Sequence, residues 1–294
     1  MPTGIPRCEV RVVGASSSPG RALDDVAGLT RANRYLDEAP HADSEAVSVG
    51  PFTLFISHTP WAYCARPHRN GRPIRYRDFA RLQRACARWR QPFQLEWIHE
   101  LYPTLEEMVG DLGLKVSSHP LLVITPEMLG GRRRSVYARV LEPEDPQLLQ
   151  GRAVMHVAFD QRLAMPAGIA EREVRCTQLD ADEIRHVHER VRSRRTVTGI
   201  VSQEGAGAVT VGSYNPVGDT AEIVGVGTLP AYRRRGLGSD IVHLLCEDAF
   251  AKGVQLVLLT AEDEQVARIY RRLGFRQIGT SMTAEEQDLT IAQG

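Results

Sequence analysis

The run Arg233-Arg234-Arg235-Gly236-Leu237-Gly238 packs three guanidinium groups and two glycines into six residues. Without Cβ atoms, Gly236 and Gly238 let the backbone turn tightly and keep its amides open. The following Ser239–Lys252 carries Ile241, Leu244, Leu245 and Ala249 at helical spacing, so the run opens a helix. The first amides of a helix have no internal partners, and the helix dipole adds positive character there. The chemistry this suits is the holding of a phosphate or pyrophosphate, with Arg233, Arg234 and Arg235 at the mouth. Each charge-assisted bond to such an anion is worth about 1.5–3 kcal/mol. The run lacks the GKS/T ending of a nucleoside triphosphate loop. It also lacks the GxGxxG of a dinucleotide fold.

The remaining composition narrows the function further. The formal net charge is zero, which disfavours a protein whose main task is to hold a polyanion such as nucleic acid. Only Lys115 and Lys252 are lysines, so almost all positive charge is arginine. Five cysteines, Cys8, Cys64, Cys86, Cys176 and Cys246, include no CxxC pair. A disulfide framework or a zinc site is not expected, no metal is called for, and a reducing cytoplasm fits. No apolar run reaches membrane-spanning length. His186 and His188, two apart on one helix, read as surface residues, and His243 as structural. Ser16-Ser17-Ser18-Pro19-Gly20 reads as a turn.

The elements that must position the loop recur along the chain. Near the C-terminus the order is strand Gln255–Thr260, helix Glu264–Leu273, Gly274-Phe275 and a final strand. Near residue 100 it is strand Phe93–Ile98, helix Thr104–Leu112, Gly113-Leu114 and strand Pro120–Thr125. Leu112-Gly113-Leu114 and Leu273-Gly274-Phe275 lie 161 residues apart. Nearly the same offset, about 162, carries the helix after the arginine loop onto Tyr76–Arg90, and strand Glu222–Thr228 onto Pro60–Arg66. The chain therefore reads as two copies of one α/β fold with mixed sheets, residues 1–130 and 135–294. Pro126, Gly130, Gly131 and Arg132–Arg134 mark the boundary. The second copy reads β-α-α-β-β-β-α-β-α-β, with strand Val136–Leu141 first and helices over 146–159 and 180–194.

With loop and elements in place, the second copy resembles the GNAT superfamily of acyl-CoA-dependent N-acyltransferases. The family's phosphate signature, Q/R-x-x-G-x-G/A, is matched by Arg233, Gly236 and Gly238. Downstream, AEDEQVARIYRRLGF resembles N-x-x-A-x-x-x-Y-x-x-x-G-F through Ala267, Tyr270, Gly274 and Phe275, with Asp263 in the usual Asn slot. The resemblance implies two tandem GNAT-like domains and acetyl-CoA as co-substrate. Its pantetheine arm would lie between two splayed strands against the main chain of Val226, Gly227 and Thr228. A backbone N–H near Gly227 or Thr228 would face the thioester carbonyl, a donor position worth about 3–4 kcal/mol in other acyl transferases. The amides of Arg234, Arg235, Gly236, Leu237, Gly238 and Ser239 would hold the pyrophosphate, with a contact from Asp263 in doubt. Tyr270 is placed to protonate the leaving thiolate, or simply to pack against the cofactor. Glu222 is placed as the general base for an amine, or as an ordinary strand-edge carboxylate.

The implied function is acetyl transfer to a primary amine of a small molecule, with a homodimer left open. Alternatives are a longer acyl-CoA or an aminoacyl-tRNA as donor, and a CoA-responsive regulatory module without turnover. In the first copy the equivalent loop is Arg66-Pro67-His68-Arg69-Asn70-Gly71-Arg72-Pro73. It lacks the paired glycines, and Pro73 removes an amide where donors are needed. The first half is therefore expected not to bind CoA and to shape the acceptor pocket or the dimer surface, with Trp61, Tyr63, Trp89 and Trp97 as its aromatic surface, or with Trp89 and Trp97 in the core instead.

Overall fold

Asp24 caps the first helix, α1 (Asp25–Glu38), by accepting from the Val26 amide. The structure is a computed structural model and describes residues 24–59, 61–69, 71–131, 137–160 and 166–286. Ser16–Gly20, Cys8, Pro60, Asn70, Arg132–Arg134 and Val136 lie outside those residues. After α1, the first half holds strands β1 (Ser44–Val49), β2 (Phe52–Ser57) and β3 (Arg66–Pro67). Helix α2 (Tyr76–Trp89), strand β4 (Gln94–Ile98), helix α3 (Leu105–Asp111) and strand β5 (Lys115–Ile124) complete it. Phe79, Leu82 and Cys86 of α2 are buried, as their helical spacing requires.

The second half holds β6 (Ala138–Val140), α4 (Leu148–Phe159), α5 (Ile169–Thr177), α6 (Ala181–Arg192), β7 (Val197–Gln203), β8 (Gly207–Val217) and β9 (Thr220–Thr228). Then come α7 (Leu237–Ala251), β10 (Leu256–Thr260), α8 (Glu264–Arg271) and β11 (Arg276–Glu285). The sequence pattern predicts two helices between β6 and β7, and the structure has three. The extra one, α5, buries an arginine rather than an apolar stripe. Arg172 is 2% exposed and donates to the carbonyls of Ala206 and Ala208. A buried cation satisfied by distant carbonyls leaves no apolar period to read.

Eight strands form one mixed sheet in the order β4-β11-β5-β10-β9-β8-β7-β6, and β1-β2-β3 form a second. Among the described residues, β9 and β10 are the only strands of the large sheet that pair in parallel. β5 lies between β10 and β11, and β11 lies between β4 and β5. Each half thus inserts its last strand between the final two strands of the other. Ser281 faces Ile98 on one side of the join, and Leu121 faces Thr260 on the other. The parallel β9–β10 pair has a single-bridge counterpart in Ala65–Leu95, near the expected first-half strand, which shrinks to Arg66–Pro67.

The exchange is what buries Leu121–Ile124 completely. Leu122 and Ile124 face α7, together with Val257, Leu259, Ile241 and Leu245. Leu121 and Val123 face α1, together with Leu256, Leu258 and Ile278. This puts α7 on one face of the sheet and α1 on the other, with β9 and β10 between them. Among the described residues, no helix is long and apolar enough to cross a membrane.

Candidate active site

β9 and β10 pair only from Thr220–Glu222 against Leu256–Leu258. Beyond that, β9 runs on to Thr228 and β10 to Thr260 without further pairing between them. The cause is in β9. Ser213 faces Val224 but Val211 faces Gly227, so β9 holds one residue more than β8 over this stretch. Gly225 accommodates the extra residue at φ +62°. Such a bulge kinks its strand and strengthens the twist, which turns β9 away from β10.

Where β9 turns away from β10, a cleft of about 830 Å³ opens. Its walls include Val226, Gly227 and Thr228 of β9, Ala158 and Phe159 of α4, and Val266, Ile269 and Tyr270 of α8. One end is formed by Arg233, Arg234 and Gly236–Ser239. Gly236, at φ +79°, is the N-cap of α7, and no side chain caps that helix. The first-turn amides therefore remain available to an anion. A Cβ on Gly238 would meet only the Thr228 hydroxyl, at 3.9 Å. Packing leaves room for a side chain there, and the glycine keeps the cleft floor open.

The three arginines, expected together at the mouth, have three different settings. Arg233 donates from Nε to the Thr228 carbonyl at 3.2 Å and from NH2 to the Ala158 carbonyl at 2.8 Å. It braces the loop against β9 and α4 rather than presenting a free cation. Arg235 lies over the Tyr232 ring, donates to the Ala231 carbonyl, and does not line the cleft. Arg234 lines the cleft, is exposed, and has no ion-pair or hydrogen-bond partner among the described residues. Its left-handed backbone, φ +62°, carries the side chain of a non-glycine residue at a conformational cost, which a functional loop tolerates.

Tyr270 lines the cleft and packs on Phe275 at 5.9 Å, and burial pushes its hydroxyl up to about 12. It stays protonated at neutral pH. Asp263 is not a cleft wall. Its carboxylate caps α8 by accepting from the Val266 amide at 2.8 Å, a role asparagine also fills. Glu222 does not line the cleft either. It stands at the last β9–β10 pair, where the strands begin to part. It is half-buried near the Tyr35 hydroxyl and has no ion-pair partner among the described residues. Burial pushes its carboxyl up to about 8, and the nearby charge of Glu96 adds to the shift.

The first half therefore surrounds Glu222, through residues that no local pattern marks. Tyr35 of α1 donates its hydroxyl hydrogen to the Asn215 carbonyl at 2.9 Å. Arg66 is 1% exposed and binds Asp37 at 2.9 Å, Glu96 at 2.7 Å and Asn33 at 2.9 Å. The first residue of the expected vestigial loop is thus a core ion pair. The expected surface histidines are half-buried. His186 packs at a tilt on the first-half Trp61, with ring centres 4.7 Å apart, and His188 Nδ1 lies 2.8 Å from the Pro143 carbonyl of the second half. His243 is buried and its Nε2 donates to the Gly130 carbonyl, as a structural residue should. Trp97 is buried, while Trp61 and Trp89 remain partly exposed.

At the N-terminus of α2, the counterpart of the arginine loop is closed by its own side chains. Asp78 is fully buried, accepts from the Arg75 amide at 3.0 Å, and binds both Arg72 nitrogens at 2.8 and 2.6 Å. The Arg72 guanidinium holds the Asp78 carboxyl down to about 2. An internal carboxylate fills the place an outside anion would take. Titration with coenzyme A is expected to saturate at one molecule per chain. A second molecule bound per chain would contradict the closed first-half loop.

Residues 167–275 match the model of the Acetyltransferase (GNAT) family. Among solved structures, a GCN5-related N-acetyltransferase from Kribbella flavida is similar at 20% identity and a TM-score of 0.66, over 88% of this chain and 95% of that one. A functionally unknown conserved protein from Staphylococcus epidermidis ATCC 12228 is similar at 14% identity and a TM-score of 0.58, over 83% and 95%. A tandem GNAT protein from the clavulanic acid biosynthesis pathway is similar at 16% identity and a TM-score of 0.50, over 80% and 78%. These likenesses show the fold. No curated protein sequence matches the chain.

Proposed function

Since residues 167–275 are a GNAT acetyltransferase domain, we propose that the protein transfers an acetyl group from acetyl-CoA to a primary amine of a small molecule, with both substrates bound together. The observation that carries this reading is the cleft beside the diverging end of β9, between α4 and α8, which ends on the uncapped start of α7 beside Arg234. That end suits a pyrophosphate and the narrow gap suits an extended arm. The amides of Gly236–Ser239 and the Arg234 guanidinium would hold the anion. The unpaired main chain of Val226–Thr228 would hold the arm, and a backbone N–H near Gly227 or Thr228 would face the carbonyl.

Acetyl-CoA supplies an acyl group already activated as a thioester. The protein's own residues then manage protons. An alkyl ammonium has a pKa of about 10, so the acceptor must lose a proton before its nitrogen can attack. A carboxyl held near 8 is a stronger base than an ordinary one, and Glu222 would accept that proton, directly or through water. As the carbon–nitrogen bond forms, the carbon–sulfur bond breaks. Tyr270, still protonated, would give its proton to the departing sulfur and regain one from solvent. Tyr35 and Glu96 set the environment of Glu222, so the first half takes part without binding a donor itself.

The test is release of free thiol from acetyl-CoA across a panel of small amines. Turnover with at least one amine supports the reading. Tight coenzyme A binding with no release from any amine points instead to a regulatory module. In the same assay, Tyr270→Phe is expected to lower kcat about 10–100-fold while leaving the affinity for coenzyme A within about twofold, since only a proton donor is lost. An unchanged kcat would remove Tyr270 from the chemistry.

A further inference from the structure

Helix α4 lies so close to the bulge of β9 that side chains are excluded there. A Cβ on Gly225 would fall 2.8 Å from Met155 Sδ, and one on Gly227 would fall 2.9 Å from the Ala158 Cβ. Met155, Ala158 and Phe159 are spaced three and four residues apart, so they share one helix face. Ala158 and Phe159 line the cleft, and Met155 lies one turn further along α4, over Gly225. In the order of β9, Val226–Thr228 line the cleft, Gly225 is next, and Glu222 lies beyond. The reacting carbon of a donor lying along Val226–Thr228 therefore arrives beside Gly225, with the Met155 thioether facing it.

Methionine usually adapts its shape to what it touches. Here it is braced. The Arg152 NH1 group lies 3.7 Å from Met155 Sδ. Arg152 is itself fixed by an ion pair with Glu183 and by the face of the first-half Trp61, 5.2 Å from the ring centre. Met155 is half-buried and packs with the core between α4 and β8. A longer acyl chain would have to displace this supported thioether.

We propose that Met155 is the end wall of the acyl pocket and restricts the donor to acetyl-CoA over longer acyl-CoAs. The proposal rests on the acyl-CoA reading of the cleft. It also ties donor choice to the first half, through Trp61 and Arg152. Met155→Ala removes Cγ, Sδ and Cε, enough to admit the two extra carbons of a butyryl group.

Isothermal titration of the full chain with coenzyme A, acetyl-CoA and butyryl-CoA tests this without knowledge of the acceptor. The wild-type protein is expected to bind butyryl-CoA at least about tenfold more weakly than acetyl-CoA, the scale of a misfitted methylene in an apolar pocket. Met155→Ala is expected to bring the two within about threefold, and Met155→Val to give an intermediate ratio. Coenzyme A itself should bind all three proteins equally, which also reports that the variants are folded. Equal binding of the two thioesters by wild type, or an unchanged ratio in both variants, overturns the proposal. Failure of wild type to bind coenzyme A at all overturns the underlying reading of the cleft, and the proposal with it.

Discussion

Gly238→Glu is expected to abolish coenzyme A binding, by about 100-fold or more, while leaving the melting temperature within a few degrees of wild type. The argument has two parts. First, the fold has room for the change, because a Cβ at this position meets only the Thr228 hydroxyl at 3.9 Å. Gly236 would be a poorer choice, since its φ of +79° strains any other residue. Second, the new carboxylate would stand among the first amides of α7, beside Arg234, at the cleft end where the pyrophosphate is proposed. It would take up those donors and repel a second anion. Losing one or two charge-assisted bonds of about 1.5–3 kcal/mol each accounts for the size of the effect. Titration calorimetry checks it, and micromolar binding by a folded Gly238→Glu protein would move the pyrophosphate elsewhere.

Glu222→Gln is expected to lower kcat by about 10²–10⁴-fold with little change in coenzyme A affinity, the range for loss of a positioned general base. The pH dependence gives an independent readout. Glu222 acts as a base only when ionised, so wild-type turnover should rise as the pH passes through about 8. That limb should vanish in the variant. Stability should respond in the opposite sense. The folded protein holds a proton on Glu222 up to about 8, while the unfolded chain releases it near the ordinary value of 4.5. Between those values the folded state binds more protons, so Glu222 makes stability fall as pH rises, and the loss is complete above about 8. Glu222→Gln should therefore melt higher than wild type at pH 9 and gain far less at pH 5. A variant that is slower yet more stable marks a residue kept for function. Undiminished turnover would return Glu222 to the role of an ordinary strand carboxylate.

The chemistry-bearing segment was legible because its signals are local. The arginine–glycine run, the apolar period of α7 and the Tyr270…Gly274-Phe275 spacing each fit within a turn or two of helix. The repeat was legible because an offset of 161 residues is a property of the string itself. Other elements had a signal that went unread. Leu29, Ala32, Tyr35 and Leu36 sit at helical spacing in α1, and Val49-Gly50-Pro51-Phe52 carries the turn residue of the β1–β2 hairpin. Helix α5 had none to read, because the group it buries is a charged one.

What the sequence alone determined is an arginine–glycine turn at the start of α7, of a kind that suits a phosphate, held between a strand and a helix whose pattern recurs 161 residues earlier without the paired glycines. Only the tertiary structure decided what surrounds that turn. It exchanges the last strands of the two halves, so residues far apart in the chain, such as Ser281 and His119, become neighbours in one sheet. It spends the Arg233 cation on two carbonyls and leaves Arg234 to face the cleft. It buries Glu222 against the other half, and that burial, with the charge of Glu96 nearby, is what raises its carboxyl. It lays Met155 across Gly225. The reason is the same in each case. Residue type and spacing fix what a short segment prefers, whereas burial, charge neighbours and close approach are set by residues far away in the chain, which meet only when the sheet closes.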